Sequence, residues 1–330
     1  QGKKLTTFSF DFIDNDKYFK ANSFQPSQDR PYVDKMVSFL DSDHHYLECD
    51  NKMQADLLYR SVDAHDLPCM ADIDSSLQYF CEEVSHSHKV VLTGECADEV
   101  FGGYPWFHRE EMLNSGTFPW TPSLTPRKVL LKDDLVKSLH MDEYVKKIYD
   151  RSVSEINVLP SENEIETNRR RIGYLNIRFF MQTLLNRMDR TSMFSGLEAR
   201  VPFADRKLVD YVFNIPWEMK AKDGLVKNIL RQASKGLLPD EILFRRKSPY
   251  PKTYNPYYEN LLAKRLKEVL ADSASPLHSL LDLKQVTQFL ENPKDYGAPW
   301  YGQLMAGPQM IAYLLQIEYF LRKYNVSIRI

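Results

Sequence analysis

The sequence predicts an α/β protein with an open, mainly parallel sheet, helices on both faces of the sheet, and a helical second half. Strand and helix patterns alternate over the first ~100 residues, which favours a parallel sheet covered by helices. From about residue 125 onward, apolar residues recur three and four positions apart, as in amphipathic helices. With 43% apolar residues in a chain of 330, a packed core is expected. We treat residues 1–330 as one domain, with 1–125 as the sheet portion and 126–330 as the mainly helical portion.

Strand and helix patterns follow one another in order through the sheet portion. The strand patterns are Lys4–Phe12, His44–Asp50 and the apolar run Val90–Leu92. Between them lie segments with helical spacing of apolar residues: RPYVDKMVSFLDS, MQADLLYRSVDAH and DSSLQYFCEEVSHS. Open parallel sheets usually carry a phosphate-binding loop after the first strand, and no such glycine-rich loop follows Lys4–Phe12.

The second portion consists of amphipathic helical patterns separated by proline-rich breaks. The helical segments are LLKDDLVKSLHMDEYVKKIYDRSV, NEIETNRRRIGYLNIRFFMQTLLNRMDRTSM, LLAKRLKEVLAD and PQMIAYLLQIEYFLRKY. The breaks are FPWTPSLTP, RRKSPYPKTYNP and ENPKDYGAPWYG, and aromatic residues interleaved with the prolines indicate ordered loops.

Composition and charge exclude several classes of protein. The net charge is −2, from 43 basic and 45 acidic residues, which gives no overall field for nucleic acid or an anionic membrane. No apolar run is long enough for a transmembrane helix, and the first residues lack the apolar segment of a signal peptide. The four cysteines form no C-x-x-C pair and show no histidine at zinc-site spacing. We expect reduced, mostly buried thiols in a cytoplasmic protein.

An acidic, glycine-broken loop follows the Val90–Leu92 strand pattern. Ligands of open parallel sheets bind at the carboxyl ends of strands, where this loop lies. Gly94 permits a close backbone approach, and Asp98 can bind Mg²⁺ together with substrate phosphates. Glu95, on the strand side of the loop, can contact a reacting group. The alternative is that Glu95, Asp98 and Glu99 only stabilise the first turn of a short helix.

A second dense stretch, NRMDRTSMFSGLEARVPFADRKLVDYV, interleaves charges with large apolar residues. Such charges are expected to be partly buried and paired. We favour a buried ion-pair network for Glu198, Arg200 and Asp205, with Asp205 also capping a helix. The alternative is an anion-binding wall. For Arg187 and Arg190 we do not choose between the ion-pair network and the anion-binding wall.

The third stretch, DGLVKNILRQASKGLLPDEILFRRKSPYPKT, holds a lysine and a basic loop. Lys227 lies near a helix start, where a lysine opposes the helix dipole unless an anion meets it. A solvated helix face is the alternative. The loop FRRKSPYPK, with hydroxyls at Ser248 and Tyr250, can close over pyrophosphate or form an ordinary surface loop.

Together these segments resemble the synthetase domain of glutamine-dependent asparagine synthetases, in the ATP-pyrophosphatase group. The matching motifs, in family order, are LTGECADEVFGGY, RMDRTSMFSGLEARVPFAD, GLVKNILRQA with LPDEILFRRK, and WYGQLMAGPQMIAYLLQIEYFLRKY. The resemblance implies that ATP activates the side-chain carboxylate of aspartate as an acyl-adenylate, with Mg²⁺, and that ammonia derived from glutamine then displaces AMP.

The resemblance also implies roles for individual residues. Phe10, Thr93 and Gly94 would lie against the nucleotide, and Asp98 would bind Mg²⁺ on the pyrophosphate. Glu95 would assist the ammonia step, Lys227 would stabilise charge on the phosphate and the tetrahedral intermediate, and Arg187 would approach the anionic groups. These residue types suit adenylyl transfer, which depends on charge neutralisation more than on a nucleophile.

Two parts of the family pattern are absent from the sequence. These are the N-terminal glutaminase domain, with its terminal cysteine, and the Ser-Gly-Gly-x-Asp-Ser-Ser phosphate loop; residue 1 is Gln. We therefore expect this chain to be a fragment that is inactive alone, and we leave a homodimer open.

Two other functions remain as alternatives. One is amidation of another carboxylate, in a cell-wall precursor or a peptide. β-Lactam-forming relatives carry a Tyr-Lys arrangement, and the acidic Glu95 favours external ammonia. The other is a non-catalytic interaction domain, which predicts decay at Glu95, Asp98 and Lys227, although all three are present.

Overall fold

Two pairs of parallel strands form the sheet component of the protein. The computed structural model describes residues 3–21, 25–292 and 307–329. Strand β1 (Thr6–Phe12) pairs with β2 (Asp43–Cys49), with Thr6 opposite Asp43 and Phe12 opposite Cys49. Strand β3 (Val90–Leu92) pairs with β4 (Glu198–Arg200). The α/β class and the parallel pairing are confirmed. Within the described residues, however, the strands form two separate pairs and not one continuous sheet.

Helices make up most of the remaining described structure. They are α1 (Asn15–Tyr18), α2 (Arg30–Leu40), α3 (Asn51–His65), α4 (Asp72–Ser85), α5 (Ala97–Phe101), α6 (Glu110–Leu113), α7 (Thr125–Lys128), α8 (Asp133–Leu139), α9 (Met141–Ser154), α10 (Glu164–Leu175), α11 (Gln182–Phe194), α12 (Arg206–Phe213), α13 (Trp217–Lys220), α14 (Asn228–Ala233), α15 (Asp240–Leu243), α16 (Pro256–Ala271), α17 (Leu277–Leu280), α18 (Leu283–Glu291) and α19 (Gly307–Lys323). Short 3₁₀ segments lie at Pro105–Phe107, Pro202–Ala204 and Lys222–Gly224, and a π-helical segment, Asn176–Met181, joins α10 to α11.

Helix α4 connects the two strand pairs through an apolar cluster. Its inward side chains pack against Phe8 and Leu47 of the first pair and against Val91 and Ala199 of the second. The buried members of this cluster are Leu77, Cys81, Val84, Met188 and Leu197. Because one helix face contacts both pairs, the cluster fixes their relative position without hydrogen bonds between them.

A second, larger core lies among the helices of the two portions. Helix α3 from the sheet portion packs with α16 and α19 from the helical portion, so the two portions share one hydrophobic interior. Asp50 caps α3 by accepting a hydrogen bond from the Met53 amide at 2.8 Å. At the start of α10, Asn163 and Glu166 form a capping box. The cap at Asn163 agrees with the predicted helix start, whereas Asp50, predicted as the end of a strand, caps α3.

Several expectations about the second portion are corrected. It contributes β4, so the strand pair at the acidic loop is built from both portions. Glu198 and Arg200 pair at 2.8 Å, but their side chains are 52% and 59% exposed, so they form a surface pair and not a buried network. Residues two positions apart on a strand point to the same face, and the face of β4 that carries Glu198 and Arg200 is open to solvent. Asp205 caps α12, as predicted.

Three further findings concern cysteines, membrane crossing and the last proline-rich break. The four cysteines are free thiols, and Cys49, Cys81 and Cys96 are buried, as predicted. In the described part of the chain, no helix combines the length and apolar character needed to cross a membrane. Most of the ENPKDYGAPWYG break lies outside the described residues.

Candidate active site

A cavity of about 690 Å³ opens beside the two strand pairs. Its walls come from β1 and β2, from the loop after β3, from α4 and α11, and from the chain between α15 and α16. The acidic loop and the basic loop predicted from the sequence therefore meet in one cavity. Its volume is in the range of small-molecule sites.

The acidic loop turns sharply at the end of β3. The Thr93 amide donates a hydrogen bond to the Arg200 carbonyl at 3.0 Å, and the Glu95 amide donates to Thr93 Oγ1 at 3.4 Å. Cys96 adopts a left-handed conformation with φ of 69°, directly before α5 begins at Ala97. A non-glycine residue in this region is strained, so the loop holds a tight turn in place of a continued strand.

Asp98, in the first turn of α5, binds two lysine side chains. Lys247 Nζ lies 2.5 Å from Asp98 Oδ2, and Lys227 Nζ lies 2.8 Å from Oδ1. Burial alone would raise the pKa of the Asp98 carboxyl, but the charges of Lys247 and Lys227 outweigh burial and hold this pKa below its ordinary value. One carboxylate against two ammonium groups leaves this corner of the cavity with a net positive charge, which favours an anionic ligand.

Glu95 pairs with a buried arginine from α11. Arg187 Nη2 donates to Glu95 Oε1 at 2.5 Å, and Arg187 Nε lies 4.0 Å from Asp74 Oδ1. The Arg187 side chain is 7% exposed and that of Glu95 is 17% exposed. Burial would lower the pKa of the guanidinium, but Glu95 and Asp74 outweigh it and raise this pKa above its ordinary value. Arg187 thus keeps its charge, and its hydrogen bond fixes Glu95 in the cavity wall.

Aromatic side chains form two sides of the cavity. Phe10 of β1 contacts the rings of Phe80 and Tyr250, at centroid distances of 5.8 and 6.0 Å. On the other side, Tyr104 stacks on Trp106 at 4.3 Å, and Lys247 Nζ lies 4.6 Å from the Tyr104 ring centre. Such walls suit a flat apolar group near a charged one.

Behind this wall, Glu99 is buried and accepts a hydrogen bond from the Tyr104 hydroxyl. Burial raises the pKa of the Glu99 carboxyl, although the Tyr104 hydrogen bond lowers it in part. Glu99 therefore supports Tyr104 from behind the cavity wall.

Six of the seven residues proposed from the sequence line this cavity: Phe10, Thr93, Gly94, Glu95, Asp98 and Arg187. Lys227 lies on the far side of Asp98, in an adjoining cavity of about 460 Å³ that Asp98 and Lys247 also line. Lys227 has φ of 57° and precedes α14, which begins at Asn228. Its ammonium reaches Asp98 and does not line the main cavity.

Lys247 is the residue that the sequence analysis did not single out. It lies in the basic loop FRRKSPYPK. The positive charge of that loop was the sequence feature that could have identified Lys247. The cavity face of this loop also includes Arg245, Ser248 and Tyr250. The Ser248 hydroxyl is buried without a hydrogen-bond partner among the described residues, so its bonding capacity remains free.

The donor atoms in the cavity fit a magnesium–phosphate ligand in part. Mg²⁺ prefers oxygen ligands and is usually held by one or two carboxylates together with substrate phosphates. Asp98 supplies one such carboxylate, and its two lysine partners are cations suited to the phosphates. The residues present therefore fit one magnesium anchor.

These features define an α/β protein whose main cavity lies at the carboxyl end of a parallel strand, where open parallel sheets usually bind ligands. The chain matches the family model described as Asparagine synthase over residues 1–322. It belongs to this family. The resemblance read from the motifs is thereby confirmed.

Individual relatives agree with the family match. The chain is 48% identical, over 325 residues, to asparagine synthetase (glutamine-hydrolyzing) 3 of Bacillus subtilis (strain 168), covering 98% of this chain and 53% of that protein. It is 28% identical over 257 residues to asparagine synthetase (glutamine-hydrolyzing) 1 of the same organism, covering 68% and 40%. A more distant relative, Amidase chry2 of Gibberella zeae, is 23% identical over 273 residues, covering 66% and 40%. The chain thus spans about half the length, or less, of these relatives.

Proposed function

We propose that this chain is the synthetase part of an ATP-dependent amide-forming ligase that converts aspartate to asparagine. ATP adenylates the side-chain carboxylate of aspartate and releases pyrophosphate, and ammonia then displaces AMP. The observation that carries the proposal is the pairing of Asp98 with Lys227 and Lys247 in the cavity wall that also holds Glu95. In this proposal Lys247 serves the phosphate oxygens and Glu95 serves the incoming amine.

The two lysines have separate roles in this proposal. Lys247 faces the main cavity, where it would neutralise charge on the departing pyrophosphate during adenylation and then on the tetrahedral oxyanion that forms when ammonia attacks the acyl centre. Lys227 reaches Asp98 from the adjoining cavity and keeps its carboxylate ionised and oriented. A lysine is suited to the first role because its charge is compact and follows moving oxygens.

Glu95 is the proposed acceptor of the proton that ammonia loses when it attacks the acyl-adenylate. Its Oε1 is held by Arg187, while its Oε2 is buried without a hydrogen-bond partner among the described residues. One oxygen is thus fixed and the other retains its bonding capacity. Arg187 is already paired with Glu95, so we assign it the positioning of Glu95 in place of direct contact with an anionic group.

Phe10, Thr93 and Gly94 are proposed to lie against the nucleotide, because they join the aromatic wall to the start of the acidic loop. Asp98 would hold Mg²⁺, which when bound supplies positive charge to the phosphates. Lys247 would then share its charge between Asp98 and the phosphate oxygens, while Lys227 stays paired with Asp98.

Ammonia is proposed to come from glutamine through a glutaminase domain outside this chain. The names of both Bacillus subtilis relatives include glutamine hydrolysis, and the chain covers 53% and 40% of them. Synthesis by these 330 residues alone is not expected. A homodimer and a cytoplasmic location remain predictions.

The second candidate function is amidation of a different carboxylate by the same chemistry. The motifs do not fix which carboxylate is amidated, and one relative of the chain, Amidase chry2, is not named as an asparagine synthetase. Adenylation and amine attack would use the same residues for either substrate. The two candidate functions would therefore differ only in the part of the cavity that binds the carboxylate substrate.

The test is release of AMP and pyrophosphate from ATP and Mg²⁺ by the protein in its natural length. Aspartate with ammonium chloride is compared with peptide and cell-wall carboxylates. Aspartate should be the substrate, and Lys247→Met should lower kcat by about 10²–10³-fold, as loss of one preorganised charge at a transition state does. Lys235→Met is the matched control, because Lys235 is exposed after α14 and lies outside both cavities.

Turnover of another carboxylate but not aspartate would favour the second candidate. Full activity of Lys247→Met would overturn the site assignment. If no AMP is released with any of these acceptors, the proposed reaction is overturned.

A further inference from the structure

A cluster of potential metal ligands lies behind the active-site wall, at the corner between α3 and α4. His65 ends α3, Cys69 lies in the connecting loop, and Asp74 is in the first turn of α4. One ligand atom from each side chain lies within 4.8 Å of the other two. The side chains of His65 and Asp74 are 7% and 1% exposed. The proposed reaction uses none of the three directly.

The histidine is oriented as metal-binding histidines are. His65 Nδ1 lies 2.8 Å from the Ser61 carbonyl, which only accepts hydrogen bonds, so Nδ1 carries the hydrogen. The lone pair of Nε2 then faces the cluster. Nε2 has no hydrogen-bond partner in the described chain, and Asp74 Oδ2 lies 4.0 Å away, too far for a hydrogen bond. Metal-bound histidines typically donate their second nitrogen to a carbonyl in this way.

The cysteine is held by a buried glutamine from α19. Gln316 Nε2 donates to Cys69 Sγ at 3.3 Å and to Ser61 Oγ at 3.0 Å, while its Oε1 accepts from the Cys69 amide at 3.1 Å. A donor aimed at the sulfur favours the thiolate form, which is the form that binds metals.

The charges around the cluster also favour a cation. Arg187 lies between the Glu95 and Asp74 carboxylates, which gives these three groups a formal charge of −1, and Arg190 donates to the His65 carbonyl from a more exposed position. A divalent cation with the Cys69 thiolate would bring that charge to zero. Asp74 is already fixed, because its Oδ2 accepts a hydrogen bond from the Met70 amide at 2.5 Å.

The size and softness of the site indicate the type of cation. Ligand atoms around one tetrahedral zinc are about 3.3–3.7 Å apart, given zinc–ligand distances of about 2.0–2.3 Å. The present separations, within 4.8 Å, need side-chain movements of about 1 Å to match this. Sulfur and imidazole ligands select zinc over magnesium.

We propose that His65 Nε2, Cys69 Sγ and a carboxylate oxygen of Asp74 bind a zinc-like divalent cation that is distinct from the proposed Mg²⁺. Its role is structural. Asp74 Oδ1 lies 4.0 Å from Arg187 Nε, and the sulfur of Met70 lies 3.9 Å from Arg187 Nη1. The cation would therefore brace the wall that positions Arg187, and the inference does not depend on which carboxylate is amidated.

The experiment measures metal content and Co²⁺ binding of the protein in its natural length. Purified wild-type protein should hold an equivalent of zinc, and Co²⁺ should give thiolate charge-transfer absorption. Cys69→Ser and His65→Gln should each weaken Co²⁺ binding by at least about 100-fold, since even second-shell losses cost 10–100-fold. The matched control is Cys49→Ser, which makes the same substitution at a buried cysteine at the end of β2.

Zinc should raise the melting temperatures of the wild type and of Cys49→Ser. It should leave the melting temperature of His65→Gln unchanged. Folded wild-type protein that takes up neither zinc nor Co²⁺ would overturn the proposal without any variant. An unchanged Co²⁺ spectrum in Cys69→Ser would overturn it as well.

Discussion

Replacement of Arg187 by methionine tests the central ion pair of the site. The substitution keeps an unbranched side chain of similar length but removes the charge between Glu95 and Asp74. At 2.5 Å, the attraction between Arg187 and Glu95 amounts to about 7 kcal/mol at an effective dielectric constant of about 20. Desolvation of both ions offsets part of this, and the loss on breaking a buried pair is typically about 3–5 kcal/mol.

The assay is urea unfolding, followed by circular dichroism. With a slope of about 3 kcal/mol/M, the predicted loss moves the midpoint down by about 1–1.7 M. The control is Arg200→Met, which breaks the exposed pair with Glu198 by the same substitution. Exposed pairs contribute about 0.2–1 kcal/mol, so this midpoint should move by less than about 0.3 M.

Equal and small midpoint shifts in the two variants would refute the reasoning, because burial would then not set the strength of the pair. A double variant, Arg187→Met with Glu95→Gln, should recover part of the loss, since it removes one carboxylate that the single variant leaves unpaired.

Two further predictions concern stability. Burial raises the pKa of Asp72 from 3.8 to about 6, so the unfolded chain releases this proton at lower pH than the folded chain does. Wild-type stability should therefore fall by about 3 kcal/mol relative to Asp72→Asn as pH rises from about 4 to above 6, and parallel unfolding profiles would contradict this. In Gly103→Ala, the new Cβ would lie 2.8 Å from the Asp98 backbone and closer still to its carboxylate, which should cost about 1–3 kcal/mol and displace Asp98. In the urea assay Gly94→Ala is the control, because its Cβ would meet no described atom within 4 Å, and equal midpoints for the two variants would contradict the clash.

Local sequence patterns predicted most of the elements. The apolar spacing predicted helices that the structure places at α2, α3, α4 and α16. The turn after Val90–Leu92 and the short helix at Ala97–Phe101 followed from Gly94 and the acidic first turn. Such features depend on residues only a few positions apart, so their signals lie within a short window of sequence.

Burial and pairing of distant charges were harder to predict. Charges among large apolar residues suggested a buried network at Glu198 and Arg200, yet both are exposed on β4. In the same segment, Arg187 is the buried member, because it lies on the inner face of α11. Arg187 and Arg200 have similar neighbours in the sequence, so local composition does not predict which of them is buried. The packing of α11 against α4 buries Arg187.

The sequence by itself determined the α/β class, the family and the acidic loop, because these rest on periodicity and on contiguous motifs. Tertiary structure decided that β4 pairs with β3, that Arg187 holds Glu95 across 92 positions, and that Lys247 reaches Asp98 across 149 positions. It also brought His65, Cys69 and Asp74 to one corner. The physical reason is that a charge finds its partner only after the apolar core has fixed which surfaces meet, and that choice is made by packing over the whole chain.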